Sequence, residues 1–537
     1  MTGVSYPDGT SESYTYDENG NNVSATDRSG LTVIMKYDKL DRMTEMTYAD
    51  GSCEKYVYDK VGNVVESISV CGAKTTYEYD SLNRNTSVTD AYGNVTTFEY
   101  DDSSRLAARI DAKGNKTSYE YDDNGNITKT TYADGNSVTA LYDARNRVIE
   151  QKDQNDNKTS YAYDGADRLT KVTDAYGNSY VYTYDDNGNL TAVTDAKDQT
   201  TSYEYDSVGR VSKVRNALGK TMEYSYDETG RVTEYKDYAG TITKYAYDDM
   251  DRLIRKTVGL SATVYSYSEK GLLTKVITSA EAVTFGYDEY NRLVSKTDAN
   301  GVKLSYTYDA CGRLSVFDNG YGKTTYEYDL LDRVTRVVDR NGKATLYEYD
   351  SLGNRSAVRN PNGTVVTYTY DACQRLKEEC ITDANGKQLA KYSYGIGKAG
   401  ERTSITESDS SGETKITYQY DKLNRLTKET IARGGDELTN EYSYDEVSNR
   451  IKKETLITGS INAIADISSN DVQVNEGVTE YTYNALNQLI SEVSDGKTKT
   501  YTYDANGNLI KQIGENTVDY AYDKENHLLR ATIQRGN

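Results

Sequence analysis

The chain has 537 residues, a formal charge of −21, 54 Tyr, 41 Gly, 3 Phe, 2 Pro and no Trp. That length exceeds one ordinary core, so several domains or a repeat array are expected; Tyr, Thr and Gly in these amounts exclude a helical bundle, and this density of aromatics excludes a disordered chain. An acidic surface repels phosphate backbones and anionic bilayers, and the chain lacks a run of 18 apolar residues, so no nucleic-acid partner and no membrane insertion are expected.

The chain opens on Met1–Tyr6, which has neither a basic nor an apolar signal region. Tyr6-Pro7-Asp8-Gly9 matches the later Tyr48-Ala49-Asp50-Gly51, so the text starts inside a repeat. Arg535-Gly536-Asn537 falls at the same place in the unit, and the expectation is an excised stretch of a longer protein or a short relic of one.

The unit is clearest from Tyr161-Ala162-Tyr163-Asp164 through Asp167-Arg168-Leu169, Val172-Thr173-Asp174 and Tyr176-Gly177-Asn178 to Tyr182-Thr183-Tyr184-Asp185. Its Asp recurs every 21 residues from Asp17 to Asp248. The rhythm then loosens through Ser268, Asp288, Asp309, Asp329, Asp350 and Asp371, and further through Gly395, Asp421, Asp445, Asn484, Asp504 and Asp523.

Each unit carries two turn signals, one directly after the Asp and one about ten residues on, as in Asp186-Asn187-Gly188 and Tyr92-Gly93-Asn94. The segments between them are short and rich in Tyr, Thr and Val, so each unit is a β-hairpin and the units form an antiparallel meander. The fold class is all-β: antiparallel hairpins of about 21 residues building a long sheet strip. About fifty strands at about 4.8 Å would extend on the order of 200 Å, and open twisted sheets rarely stay flat that long, so the strip must coil.

Tyrosines two apart share one face. Leu169 and Val172 are three apart, which calls for either a bulge near the turn or a sheet covered on both sides. The repeat Asp is placed to cap the turn that follows it. The Arg four places on (Arg168, Arg210, Arg231, Arg252, Arg292, Arg313, Arg333) is placed to reach that Asp or a neighbouring hairpin.

The domain reading is a repeat strip over 1–454, a non-repeat insertion over 455–480 and the last repeats over 481–537, without a cap. Five Cys are present. Cys53 and Cys71 lie on or near adjacent strands, so a bond between them is open; free thiols are the simpler reading. Cys311 and Cys373 occupy one place in the repeat, three units apart, too far to bond in an extended array.

Catalytic and metal signatures are weak. Asp122-Asp123-Asn124-Gly125-Asn126 has the look of a calcium loop, but its Gly comes early and Ala133 stands where Glu is needed, so a turn is the better reading. His527, the one His, has no spaced Ser, Cys or metal partner. The expectation is no catalytic residue, no cofactor and no metal. The Tyr ladder is the more serious candidate, since its faces suit sugar rings, but Trp is absent and packing within the strip is the better reading.

Tyr-x-Tyr-Asp, then Gly-Arg-Leu or Asn-Arg-Leu, then Val-Thr-Asp-Ala and Gly-Asn/Lys-x-Thr, resembles the YD repeat of the RHS (rearrangement hot spot) family. The copy from Tyr203 through Asp206, Gly209-Arg210, Asn216-Ala217 and Gly219-Lys220-Thr221 is close to the usual form. The resemblance implies an RHS-shell-like strip that spirals into a hollow wall, as in bacterial polymorphic toxins, wall-associated proteins, insecticidal toxin complexes and animal teneurins. It implies a secreted or cell-surface bacterial protein, and as partners a C-terminal toxin or other cargo, or neighbouring repeats. The alternative is an extracellular carbohydrate-binding adhesin with cell-surface glycans as partner. The chain departs from the full family pattern: Pro7 and Pro361 follow Tyr6 and Asn360 rather than Asp, so the family's cleavage core is not assigned.

Overall fold

The computed structural model describes residues 1–459 and 476–535. Among them the chain forms 49 strands of one antiparallel sheet. Most strands are five or six residues long, as the short Tyr/Thr/Val runs between turn signals require. Beyond Leu376 they lengthen, reaching nine residues at Gln388–Ile396, Gly412–Tyr420 and Asp436–Tyr444. That lengthening is what stretches the repeat there.

In the unit around Asp164, strand Lys158–Tyr163 pairs with Leu169–Thr173, which pairs with Ser179–Tyr184. Tyr161 stands opposite Val172 and Tyr163 opposite Leu169, with the register shifting between Ala162 and Tyr163. Thr170 is the extra residue, so a bulge decides the question that Leu169 and Val172 posed. The bulge returns both apolar residues to the Tyr face.

Both turns of the unit are built alike. Asp164 N–H donates to Arg168 O at 3.0 Å and Asp167 N–H to Asp164 O at 3.2 Å, while Asp174 and Gly177 repeat the pattern against Asn178 and Asp174. The fourth residue takes positive φ, 65° at Asp167 and 89° at Gly177. This is a three-residue hairpin loop with a left-handed last residue, which Asp and Asn tolerate nearly as well as Gly. Two-residue turns occur too, between Asp409 and Gly412 and between Arg433 and Asp436.

Among the described residues no large side chain is fully buried, and the buried apolar set is small: Ala73, Ala108, Val214, Val258, Ala357, Val358, Ile416 and Leu438. A sheet-on-sheet core would bury far more. Stability therefore comes from cross-strand pairs and turn caps repeated along the strip.

The chain divides into two compact units, residues 1–118, 245–368 and 382–386 in unit 1, and residues 119–244, 369–381 and 387–537 in unit 2. Within each unit the strip returns alongside itself. This has a direct consequence for cysteine. In unit 1 Cys71 and Cys311 are disulfide-paired across 240 residues, with Cα atoms 5.4 Å apart, while Cys53, Cys373 and Cys380 are free. Free thiols throughout, or a Cys53–Cys71 bond, were the expectations. Neighbouring strands do not decide the pairing; the return of the strip does. Cys311 and Cys373 are indeed not joined.

Of the expected insertion, residues 460–475 lie outside the described residues. Its flanks are strand: Arg450–Thr458 pairs with Gly477–Tyr483, Thr455 opposite Gly477. The repeat marker Gly395 also moves. The register shift falls between Gly395 and Ile396, and Gly397 N–H makes the turn bond to Glu401 O, so Gly397 holds the Asp place.

Candidate functional site

Among the described residues the recurring feature is a joint repeated from hairpin to hairpin. The carboxylate of Asp164 accepts from Ala166 N–H at 2.9 Å and Arg168 N–H at 3.0 Å through Oδ1, and from Arg168 Nε at 2.7 Å through Oδ2. The acceptor pattern is two and four residues on, one residue longer than a simple Asx-turn. Hydrogen bonds from Arg168, backbone first and guanidinium next, hold the Asp164 carboxyl below its usual range.

Arg168 then reaches the following unit. Its Nη1 donates to Asp185 O at 2.9 Å, and its guanidinium carbon lies 4.8 Å from the ring centroid of Tyr184. Tyr184 closes the circuit by donating its hydroxyl to Leu169 O at 2.8 Å. The same bond runs from Tyr58 to Met43, Tyr79 to Val64, Tyr205 to Leu190 and Tyr349 to Val334. One Asp, one Arg and one Tyr thus tie each hairpin to the next.

Where Arg is replaced, its place still serves the Asp. Asn189 donates to Asp185 at 2.9 Å, and His527 Nδ1 sits 3.0 Å from Asp523 Oδ2. The structure thus places His527 as the last turn's Asp partner. Asp122 accepts from Asn124, Asn126 N–H and Asn126 Nδ2 at 2.9 to 3.0 Å, the pattern of a turn cap.

The second element is a seam inside each unit, where mid-unit turns of one pass meet Asp turns of the next. In unit 1, Asn291 Nδ2 donates to Ser29 Oγ at 2.6 Å, Leu330 N–H to Tyr92 OH at 3.3 Å, and Lys113 Nζ pairs with Asp350 at 2.6 Å. In unit 2, Arg375 pairs with Asp134 at 2.9 Å, Lys197 with Asp445 at 3.0 Å, and Asn506 Nδ2 donates to Asp237 at 2.8 Å.

The residue separations vary, 237 for Lys113–Asp350, 248 for Lys197–Asp445 and 269 for Asn506–Asp237. The repeat separation is twelve steps at every seam contact named above except Asn291–Ser29, which spans thirteen. From Asp59, whose unit holds Cys71, the markers run Asp80, Asp101, Asp122, Asp143, Asp164, Asp185, Asp206, Asp227, Asp248, Ser268, Asp288 and Asp309, which is twelve steps. Lys113–Asp350, Asp134–Arg375, Lys197–Asp445 and Asp237–Asn506 also give twelve, counting Gly397 as a marker. The seam follows the count of hairpins rather than of residues, so the longer strands beyond Leu376 leave it in place.

Open cavities lie along the seam. One of about 450 Å³ in unit 1 is lined by Tyr14, Tyr48, Leu31, Val33, Tyr290 and Arg292. One of about 500 Å³ in unit 2 is lined by Ile127, Lys129, Val138, Tyr142, Lys152 and Lys422. Sequence reasoning missed the seam and its cysteines. A signal was present: Cys71 and Cys311 each sit just before the turn Gly, Gly72 and Gly312, on opposite edges of the strip.

The Teneurin YD-shell family matches residues 1–107, 136–325 and 460–534, and the RHS Repeat family matches residues 100–137, 328–365 and 349–388. A search of curated proteins gives no match. The crystal structure of TcdB2-TccC3 superposes with a TM-score of 0.66 at 13% identity, covering 98% of this chain and 38% of that one. The TcdB2-TccC3-Cdc42 structure gives 0.51 at 13%, covering 97% and 33%, and TcdB2-TccC3 without its hypervariable C-terminal region gives 0.51 at 14%, covering 98% and 40%. Likeness at this identity carries the fold, and the chain spans two fifths or less of those chains. The first family covers more than half of this chain, along the strip that bears the Asp–Arg–Tyr joints: the chain belongs to the teneurin YD-shell family, as an RHS/YD-repeat shell strip with a structural role.

Proposed function

We propose that this strip is the wall of a shell that encloses or displays a C-terminal toxin or other cargo in an exported bacterial protein, and that it performs no bond chemistry itself. The observation that carries the reading is the seam within each unit, held at twelve repeats at all but one of its named contacts. A repeat that only had to display a surface would not need chemically matched partners between passes. A wall does, because it must close edge to edge. The Asp carboxylates are occupied by turn N–H donors, which suits framework rather than catalysis.

The adhesin reading fares worse against the geometry. The ring of Tyr184 lies beneath Arg168, and its hydroxyl is committed to Leu169 O. The test is protease protection. The chain is expressed with the sequence that follows it in its gene, and that segment's digestion is compared with the isolated segment. Protection of at least about tenfold supports the wall; equal digestion rates overturn it. A glycan array with binding lost on Tyr→Ala changes would favour the adhesin instead.

A further inference from the structure

We propose that Cys71 and Cys311 form a redox-operated latch on the unit 1 seam, closed by disulfide exchange in oxidising surroundings and opened by thiol reductants. The latch rests on the geometry of unit 1 and stands apart from the shell reading. Cys71 occupies the mid-unit turn Ser69–Ala73 and Cys311 the Asp turn Asp309–Arg313, so their bond crosses the seam rather than one hairpin. It closes a separation of 240 residues, whereas the neighbouring contacts Tyr92–Leu330 and Lys113–Asp350 are a hydrogen bond and an ion pair that water can replace.

Both cysteines are half-buried residues in surface turns, where a small thiol or disulfide can approach the bond. The open state is accommodated as well. Asp332 Oδ1 lies 3.4 Å from Cys71 Sγ and accepts the S–H that reduction creates, while Arg313 holds Asp332 at 2.7 Å. Closure balances as ordinary exchange. The thiolate of one Cys attacks glutathione disulfide; the glutathione S–S bond breaks and one glutathione thiolate leaves. The second Cys thiolate then displaces the other glutathione from the mixed disulfide. Two electrons pass from the cysteines to glutathione disulfide, and the cysteine protons go to solvent or the released thiolates. A reducing dithiol opens the latch: one of its thiolates attacks the Cys71–Cys311 bond and releases one cysteine thiolate, and its second thiolate then displaces the other cysteine and closes a cyclic disulfide.

The test equilibrates the full chain with glutathione mixtures, alkylates free thiols, and maps peptides without reduction alongside hydrogen exchange. Expected are a cross-linked Cys71–Cys311 peptide pair, with Cys53, Cys373 and Cys380 alkylated. Amide exchange in the Ser69–Ala73 and Asp309–Arg313 turns should rise at least about fivefold on reduction. The Cys71→Ser/Cys311→Ser variant should match the reduced protein and ignore the reductant, and Cys53→Ser/Cys373→Ser/Cys380→Ser should keep the response. Alkylation of Cys71 and Cys311 at the most oxidising poise overturns the latch, and so does exchange that reduction leaves unchanged. If the double variant fails to fold, the wild-type chain with and without reductant decides alone.

Discussion

Arg168 lies over the ring of Tyr184, 4.8 Å from guanidinium carbon to centroid, while both are anchored to backbone oxygens of each other's hairpin. The contact needs a flat cation with donors on two edges. Arg168→Lys keeps the charge but loses the stacked plane and the fork that bonds Asp164 and Asp185 O together. It should therefore cost nearly as much as Arg168→Ala, about 1–2 kcal/mol in urea unfolding. A lysine variant as stable as wild type would reduce the joint to simple charge pairing.

Tyr184→Phe isolates the hydroxyl. The ring and its Arg168 cover stay, and only the bond to Leu169 O at 2.8 Å is lost. The expected loss is about 1 kcal/mol. Faster amide exchange confined to the hairpins on either side of Leu169 would place the effect at the joint.

The seam can be weakened in unit 2. Asp445 is 7% exposed at its side chain and accepts from Asn449 Nδ2 at 2.9 Å as well as pairing with Lys197. Asp445→Ala should cost about 2 kcal/mol, because it removes a turn cap and leaves Lys197 unpaired in one step. Lys197→Ala should cost less, since Lys197 is 33% exposed and the turn cap survives. Equal losses would mean that the seam, rather than the turn, carries most of the effect.

A second cross-seam bond should be installable. Asp134 precedes its turn Gly135 as Cys71 precedes Gly72, and free Cys373 stands two after Asp371 as Cys311 does after Asp309. Burial, with Asp134 facing it, pushes the Cys373 thiol up, as proximity across the seam requires. Asp134→Cys is expected to form a disulfide with Cys373 under mild oxidation, seen as a linked peptide pair. Failure under oxidant that closes Cys71–Cys311 would show that the twelve-step register is not transferable.

Acid should dismantle the strip in a defined window. The repeat carboxyls Asp164, Asp206 and Asp248 are lowered by their turns, and Asp143 falls to about 2 through its hydrogen bond from Arg147. A carboxylate lowered in the fold contributes stability above its unfolded value and loses it as pH falls through the folded one. Urea midpoints should hold at about pH 5 and drop between about 4 and 2. At the alkaline end burial raises Tyr442 and Tyr501 to about 12. The fold favours their neutral form, so this contribution is whole below about pH 10 and is lost as pH rises through about 12. Tyrosinate absorbance should lag free tyrosine until the strip unfolds.

Much of the joint is legible in the sequence alone. Asp164 before a turn and Arg168 four places on are one local motif, and turn capping acts over a few residues. Tyr184 was legible as a residue sharing a face with Tyr182, but its bond to Leu169 O was not, because strand pairing sets which carbonyl faces the hydroxyl. The bulge at Thr170 was one of two readings that the Leu169–Val172 spacing left open. Gly395 was misread as a marker because no Asp follows Tyr394, and the register shift puts the turn at Gly397 instead.

By itself the sequence determined the unit: its period, its two turns, its strands, and the Asp–Arg pair, all set by contacts within one hairpin. Only the tertiary structure decided that Cys71 meets Cys311, that Asp134 meets Arg375 and that Lys197 meets Asp445. Those meetings depend on how many hairpins the strip needs to return to its own edge. That number is the sum of small twists between neighbouring strands, and no motif of about 21 residues contains it.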